Sequence, residues 1–442
     1  MTDQRILHTA HRLWAGASGL RQRRQRHKSY TYGDQWCDIV NDGKKFVRED
    51  TFIIESGKRP YSNNLIRQLV KTIVGRYRTE SVRNNRSESG IAEIASRNRF
   101  ADIDSRLLEE FLISGCAIQK IVCERRFNGN GVWVDNVDPR MFFVNPFKDP
   151  RGWDIEFIGM LHDMSLPEII SRYAHADRRR AETLTRIYYT LEGAAGVFAA
   201  SSALGDDTGD GNDFFICSTP GKHRVIEIWS FDSSGTGNAT PDFRWHCRIY
   251  SPDGHILDEY DSPYGHGSHP FAVRLYPLTD GEVHPFVEDV IDQQRYINRL
   301  VVMLDHIMSC SAKGVLLFPV EQRPKDVSWQ HISDCWARAD GIIPIAGRGQ
   351  QLPQQVVSNA AGSGAYQLLD LQMRLFEQAS GVSEALLGRN IPSNGGSQLY
   401  ESQVRNATIA LADLFETFSA FTDERDFKAI NCRPSKKNQQ KT

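Results

Sequence analysis

The chain has 442 residues, 40% of them hydrophobic, with 53 Lys and Arg against 55 Asp and Glu; this is enough to bury a core, excludes wholesale disorder, and allows about two or three domains or one extended multipart fold. The net charge of −2 hides an asymmetry, since residues 1–100 carry 20 basic against 10 acidic side chains and the remainder 33 against 45. The most apolar stretch, Leu300 to Leu304, is stopped by Asp305 and His306, far short of the roughly 20 residues a membrane helix needs.

The basic excess is densest in Arg21-Gln-Arg-Arg-Gln-Arg-His-Lys28, an arm suited to phosphates, an acidic partner or plain solvent. The first 28 residues hold Asp3 as their only acid, yet they lack the Ser enrichment of a transit peptide and the apolar core of a secretory signal. Residues 62–126 read as helices, with Leu65, Leu69, Ile73 and Val74 and then Ile103, Leu107, Leu108, Phe111 and Leu112 at three- and four-residue steps. Ala117 to Phe127, a turn at Asn128-Gly-Asn-Gly131, and Val132 to Val137 read as a hairpin. A strand at Ile155 to Leu161 leads to Met164-Ser-Leu-Pro167, where Ser165 is placed to cap and Pro167 to open a helix running to about Arg180. Residues 192–222, rich in Gly, Ala, Ser and Asp, read as a mobile loop. Arg224 to Phe231, Phe243 to Tyr250 and His255 to Tyr260 then form a β-meander.

Phe286 to Ser311 contains no Gly or Pro and places Phe286, Val290, Ile297, Val301, Leu304 and Met308 at helical intervals. Residues 314–358 read as short strands and a small helix punctuated by Pro319, Pro324, Pro344 and Pro353. Helix returns at Tyr366 to Ala379, Gly381 to Gln398 is a loop, and Tyr400, Val404, Ala407, Leu411, Leu414, Phe418 and Phe421 form a packing seam. The end of the chain is polar, most of all from Arg433 onward.

The chemistry-bearing patterns are weak. His306 with Cys310, and His331 with Cys335, stand four apart as zinc ligands can, but nothing brings the pairs together. The loop Asp206 to Asp213 has oxygen ligands for calcium but no Glu at the twelfth position. Asp135, Asp138, Asp149 and Asp154 evoke a nuclease-like metal cluster, although each lies beside a turn signal that favours Asp for local hydrogen bonding. No phosphate-binding glycine loop, nucleophile elbow or H-E-x-x-H occurs. The eight cysteines, Cys37, Cys116, Cys123, Cys217, Cys247, Cys310, Cys335 and Cys432, include no C-x-x-C pair and read as reduced thiols of a cytosolic setting. No catalytic residue, cofactor or metal site is assigned.

Five segments, in order, resemble one family, the bacteriophage portal proteins that connect head to tail, in their short-tailed-phage form. They are Tyr32-Gly-Asp-Gln-Trp36; Asn64 to Tyr77; Val137-Asp-Pro-Arg-Met-Phe-Phe-Val-Asn-Pro146 followed by Asp154 to Leu161; His269 to Pro277 leading through Gly281 into Val287 to Asn298, with a D-x-Q-x-x-x-N element at Asp292, Gln294 and Asn298; and Ser380 to Gly388 with Ser393-Asn-Gly-Gly396. Asn145 stands where the family usually has Asp.

The resemblance implies an α+β portal-like fold: a basic N-terminal arm (1–50), an α/β wing (51–284), a stem helix (285–311), a small α/β clip (312–360), a second stem helix (361–380), a tunnel loop (381–398), an inner wing helix (399–422) and a polar tail (423–442), with a crown minimal or absent. It implies a non-enzymatic ring, usually of twelve subunits, at the capsid vertex of a virion assembled in the host cytoplasm. The partners implied are double-stranded DNA without sequence preference, the terminase large subunit, a tail adaptor, and major capsid or scaffolding protein, with no membrane. Arg389, Asn390, Ser393, Asn394 and Gln398 are the expected channel-facing residues, and Arg323, Lys325, Asp326 and Trp329 the expected partner-binding residues of the clip. The competing classes are a metal-dependent enzyme acting on nucleic acid and another virion structural protein.

Overall fold

The computed structural model of the protein describes residues 3–43, 45–83, 89–126, 129–202, 213–233, 243–311, 315–337, 343–347, 352–356, 361–382, 409 and 411–432. It is a mixed structure, 50% helical and 22% strand, as an α+β fold requires. In chain order the elements are α1 (Asp3–Gly16), α2 (Ser18–Tyr32), β1 (Ile39–Asn41), β2 (Phe46–Arg48), α3 (Glu49–Glu55), α4 (Leu65–Arg83), α5 (Ser89–Asn98), α6 (Phe100–Ser114), β3 (Cys116–Arg126), β4 (Gly129–Asn136), β5 (Phe142–Val144), β6 (Phe157–Met164), α7 (Leu166–Tyr173) and α8 (Arg178–Ser202). There follow β7 (His223–Ser233), β8 (Phe243–Tyr250), β9 (Ile256–Asp261), β10 (Phe271–Leu275), β11 (Pro277–Thr279), β12 (Glu282–Val283), α9 (Glu288–Ser311), β13 (Val315–Leu317), α10 (Trp329–Ala337), β14 (Gln354–Val356), α11 (Ala361–Ser380) and α12 (Ala412–Ile430). They fall into two compact units, a larger one of Met1–Tyr32, Arg67–Asp289 and Val382–Thr442 and a smaller one of Gly33–Ile66 and Val290–Gly381.

The larger unit is built on two antiparallel sheets, β5-β6-β7-β8-β9 and β10-β3-β4. Along β7 the alternation decides which face each residue serves. Val225 and Trp229 join one core with Phe271, Val273 and Ile118, whereas Ile226 and Ile228 join another with Ile6, Ala10, Trp14 and Phe143. A strand buried on both faces needs apolar residues at both parities, and from Val225 to Trp229 β7 supplies them with one interruption. Glu227 is buried among them, its Oε2 accepting from Lys120 Nζ at 2.5 Å and His162 Nε2 at 2.6 Å, and its Oε1 from Trp229 Nε1 at 2.8 Å. Burial alone would raise this carboxyl, but the Lys120 ammonium and the His162 hydrogen bond outweigh it and hold it well below the usual range. Helix α6 ends at Gly115, whose φ of +70° favours glycine and where a Cβ would sit 2.6 Å from Val283 Cγ1.

Several expectations need correction. The basic arm is solvated on one side only: it is α2, and Arg21, Arg24 and His27 share one buried face at three-residue steps while Gln22 and Gln25 stay exposed. Arg21 donates to the Trp14 carbonyl, Arg24 pairs with Glu110, and His27 Nδ1 donates to the Ile113 carbonyl at 3.0 Å. The loop expected from residue 192 is instead α8 as far as Ser202, because alanine, the best helix former, outweighs the two glycines in Gly193 to Ala200. Residues 203–212, with most of the acidic loop, lie outside the described residues. Ser165 holds the N-cap position of α7 but makes no side-chain capping bond, and the helix breaks after Tyr173 before α8 begins. In the hairpin, Arg126 pairs with Gly129, so the glycines lie in β4 and not in the turn. Helix α12 continues to Ile430, with Arg425, Lys428 and Ala429 buried, so residues 423–430 are not tail; the polar run from Arg433 lies outside the described residues.

Candidate functional site

Within the smaller unit, α9 carries the D-x-Q-x-x-x-N element, and its two amides are fully buried. Gln294 Oε1 accepts from the Leu65 N–H at 2.9 Å, while its Nε2 donates to the Asn63 carbonyl at 2.7 Å and to Asn298 Oδ1 at 3.1 Å. Asn298 Oδ1 also accepts from the Asn63 N–H at 3.1 Å, and its Nδ2 donates to Gln35 Oε1 at 2.7 Å. The first N–H groups of a helix have no partner inside it, so Gln294 caps the start of α4 from another element. A side-chain amide offers an acceptor oxygen and a donor nitrogen on two separate atoms, which suits Gln and Asn, one helical turn apart, to meet an N–H and a carbonyl together.

A charged layer extends the clamp. Glu49, at the start of α3, accepts from Arg295 Nη2 at 3.0 Å and from Arg299 Nε at 2.6 Å, and Arg295 Nε lies 3.1 Å from Asp38 Oδ2. Trp36 packs with Ile53 and Val302, and Asp34 pairs with Arg48 at 2.8 Å. The Gly33-Asp-Gln-Trp36 stretch and the D-x-Q-x-x-x-N element, separate in the sequence reading, are thus two sides of one assembly. Asp292 is not part of it and stays exposed. Sequence reasoning missed Glu49, Arg295 and Arg299; the two arginines four apart on one face of α9 were the available signal.

The excursion between α9 and α11 starts and ends on a short antiparallel pair, Val315 opposite Val356 and Leu317 opposite Gln354. Gln322 is buried and its carbonyl accepts from the Ala346 N–H at 2.7 Å. Trp329 meets Phe318 edge-on at 5.9 Å, and the Arg323 guanidinium lies 5.2 Å from the Trp329 ring centre, an arrangement that attracts a cation to an aromatic face. Arg323 and Trp329 are therefore in contact, whereas Lys325 and Asp326 are exposed at the bend after Pro324. Leu317, Val320, Trp329, Ile345 and Leu352 all remain exposed, Val320 by 74%. Arg389, Asn390, Ser393, Asn394 and Gln398 lie outside the described residues.

The four aspartates considered for a nuclease site do not converge. Asp135 pairs with Arg126, Asp138 with Arg140, and Asp149 with Arg151, while Asp154 accepts from the Lys148 and Asp149 N–H groups. Cys335 Sγ lies 3.5 Å from His331 Nε2 on exposed α10, and the Cys310 side chain lies outside the described residues. Among the described residues no group of three or more His, Cys, Asp or Glu is placed to hold a metal ion, and no helix is long and apolar enough to cross a membrane.

The sequence model of the Phage P22-like portal protein family matches residues 11–429. The chain belongs to that family. No curated protein matches it. Portal proteins are structural components of the capsid vertex, ring oligomers that serve genome packaging and join head to tail, and that is the place of this chain in the virion. In this portal protein the Gln294 and Asn298 clamp, carried by the long helix that leads into the excursion, holds the start of α4.

Proposed function

We propose that the smaller unit holds the stem and clip of the portal: α9 (within 285–311) and α11 (within 361–380) are the stem helices, and residues 312–360 the clip. On this reading the larger unit holds the wing, residues 381–398 line the channel through Arg389, Asn390, Ser393, Asn394 and Gln398, and α12 continues the inner wing helix of 399–422. Twelve copies close the ring. Double-stranded DNA passes through it without sequence preference, since a dense set of phosphate contacts would hold a duplex that has to move. Major capsid or scaffolding protein meets the outside of the ring during assembly in the host cytoplasm.

The observation that carries this reading is where the apolar surface lies. Among the described residues, most of the exposed large apolar side chains belong to the smaller unit, although it is less than half the size of the larger. Soluble monomers rarely leave contiguous apolar surface uncovered, and neighbouring copies in a ring supply the cover, in part by strand addition beside β13 and β14. Lys325 and Asp326, exposed and polar, then remain for the terminase large subunit and later the tail adaptor. Trp329→Ala is expected to reduce the fraction of chains in rings, measured by mass photometry. Lys325→Glu is expected to spare the rings and weaken terminase or adaptor pull-down several-fold. Ring loss in the Lys325 variant with intact rings in the Trp329 variant would reverse this division of the clip.

A further inference from the structure

In the larger unit the N-terminal helices and the two sheets leave a cavity of about 450 Å³ that no element described so far occupies. Its size falls within the range of small-ligand sites. Apolar side chains make most of the wall, among them Leu13, Leu20, Ile118, Phe142, Phe147 and Leu275. Arg24 also lines it, and its side chain is only 6% exposed. Two of its three guanidinium nitrogens are engaged, Nε with Glu110 Oε1 at 2.5 Å and Nη2 with Glu110 Oε2 at 2.8 Å, the latter also 3.6 Å from Asp138 Oδ1. The third, Nη1, is buried without a hydrogen-bond partner.

A buried charged donor left unmet is costly, and native structures seldom keep one without a reason. The cavity wall adds Arg12, exposed and without an ion-pair partner among the described residues. It adds no free anion: Cys116, also on the wall, has a thiol that burial pushes up to about 12, so it stays neutral. A plain hydrocarbon would fill the walls and leave Nη1 unmet, whereas a small hydrophilic anion would meet Nη1 and leave the walls bare. We propose that this cavity binds a small amphiphilic carboxylate, its chain between the helical and sheet walls and its carboxylate on Arg24 Nη1 with Arg12 as the second positive charge.

The test titrates the full-length protein with decanoate, below its self-association concentration, by calorimetry, with decanol and acetate as controls. Decanoate is expected to bind at one per chain, about tenfold or more tighter than either control, since decanol lacks the charge and acetate the chain. Leu20→Trp, which fills the cavity from a half-buried helical position, is expected to abolish decanoate binding while ring formation and circular dichroism stay unchanged. Arg24→Lys, which keeps a charge for Glu110 but removes Nη1, is expected to bring decanoate down to the affinity of decanol. Absence of saturable decanoate binding, equal affinity for decanol, or undiminished binding in a folded Leu20→Trp protein would each overturn the proposal. Because ring formation is read separately, failure of this site and failure of the portal assignment are distinguishable.

Discussion

Gln294 shows most directly how one side chain in this protein decides a local structure. Replacing it with Leu keeps the volume but leaves the Leu65 N–H and the Asn63 carbonyl without their partner, and a buried polar group left unmet costs about 1–3 kcal/mol. A drop of that size in unfolding free energy is expected in urea titrations followed by tryptophan fluorescence, and a change below about 0.5 kcal/mol would show that water replaces the amide. The histidines set the response to acid. His266 Nδ1 accepts from the Ser268 N–H and His269 Nδ1 from the Phe271 N–H, both rings near Lys428. Burial, with the Lys428 charge, lowers His266 to about 4 and His269 well below its ordinary value. A folded-state value depressed below the unfolded one, about 6.5, means that the unfolded chain takes up protons the folded chain refuses as pH falls. Stability is therefore expected to fall between about pH 6.5 and 4. Thermal melts across that window should show the decline, and His266→Asn, which keeps an acceptor without a proton to gain, should flatten part of it.

Among the elements, α12 separates what is legible in the sequence from what is not. Its seam, Leu414, Phe418 and Phe421, follows from spacing alone and is buried. The next two turns read as polar tail because their core-facing residues are Arg425 and Lys428. Arg425 Nη1 pairs with Asp104 Oδ1 at 2.5 Å under full burial, its guanidinium lies 3.8 Å from the Phe100 ring centre, and Lys428 Nζ donates to the Phe271 carbonyl at 2.5 Å. Hydrophobic periodicity cannot find a face whose burial is conferred by partners more than 150 residues away. The same blindness hid α2, where Arg24 waits for Glu110, and Glu49, whose two arginines come from α9. Strands and helices with apolar faces, β7 and α6 among them, were legible because solvent exclusion alone specifies them. Deleting residues 433–442 is accordingly expected to leave soluble yield and melting temperature unchanged. Deleting 423–442 strands Asp104 as a buried carboxylate without its cation, a loss of about 3–5 kcal/mol, and is expected to give insoluble or early-melting protein.

At the scale of the whole molecule, the larger unit closes its two cores within one chain, whereas the smaller unit exposes Leu317, Val320, Ile345 and Leu352 in the excursion between α9 and α11. On the proposed reading folding and assembly are separable: the clamp joins α9 to the start of α4 within one chain, and neighbouring copies would cover the apolar surface of the excursion. The family assignment over residues 11–429 carries the same expectation of a ring. Electron microscopy of the purified full-length chain, viewed down the particle axis, is the most direct measurement. A closed ring with an open central channel and about twelve repeats is expected, with density for residues 312–360 of each copy against its neighbour's. Particles that remain single chains at every concentration and salt condition, or closed assemblies in which that excursion stands free of its neighbours, would contradict it.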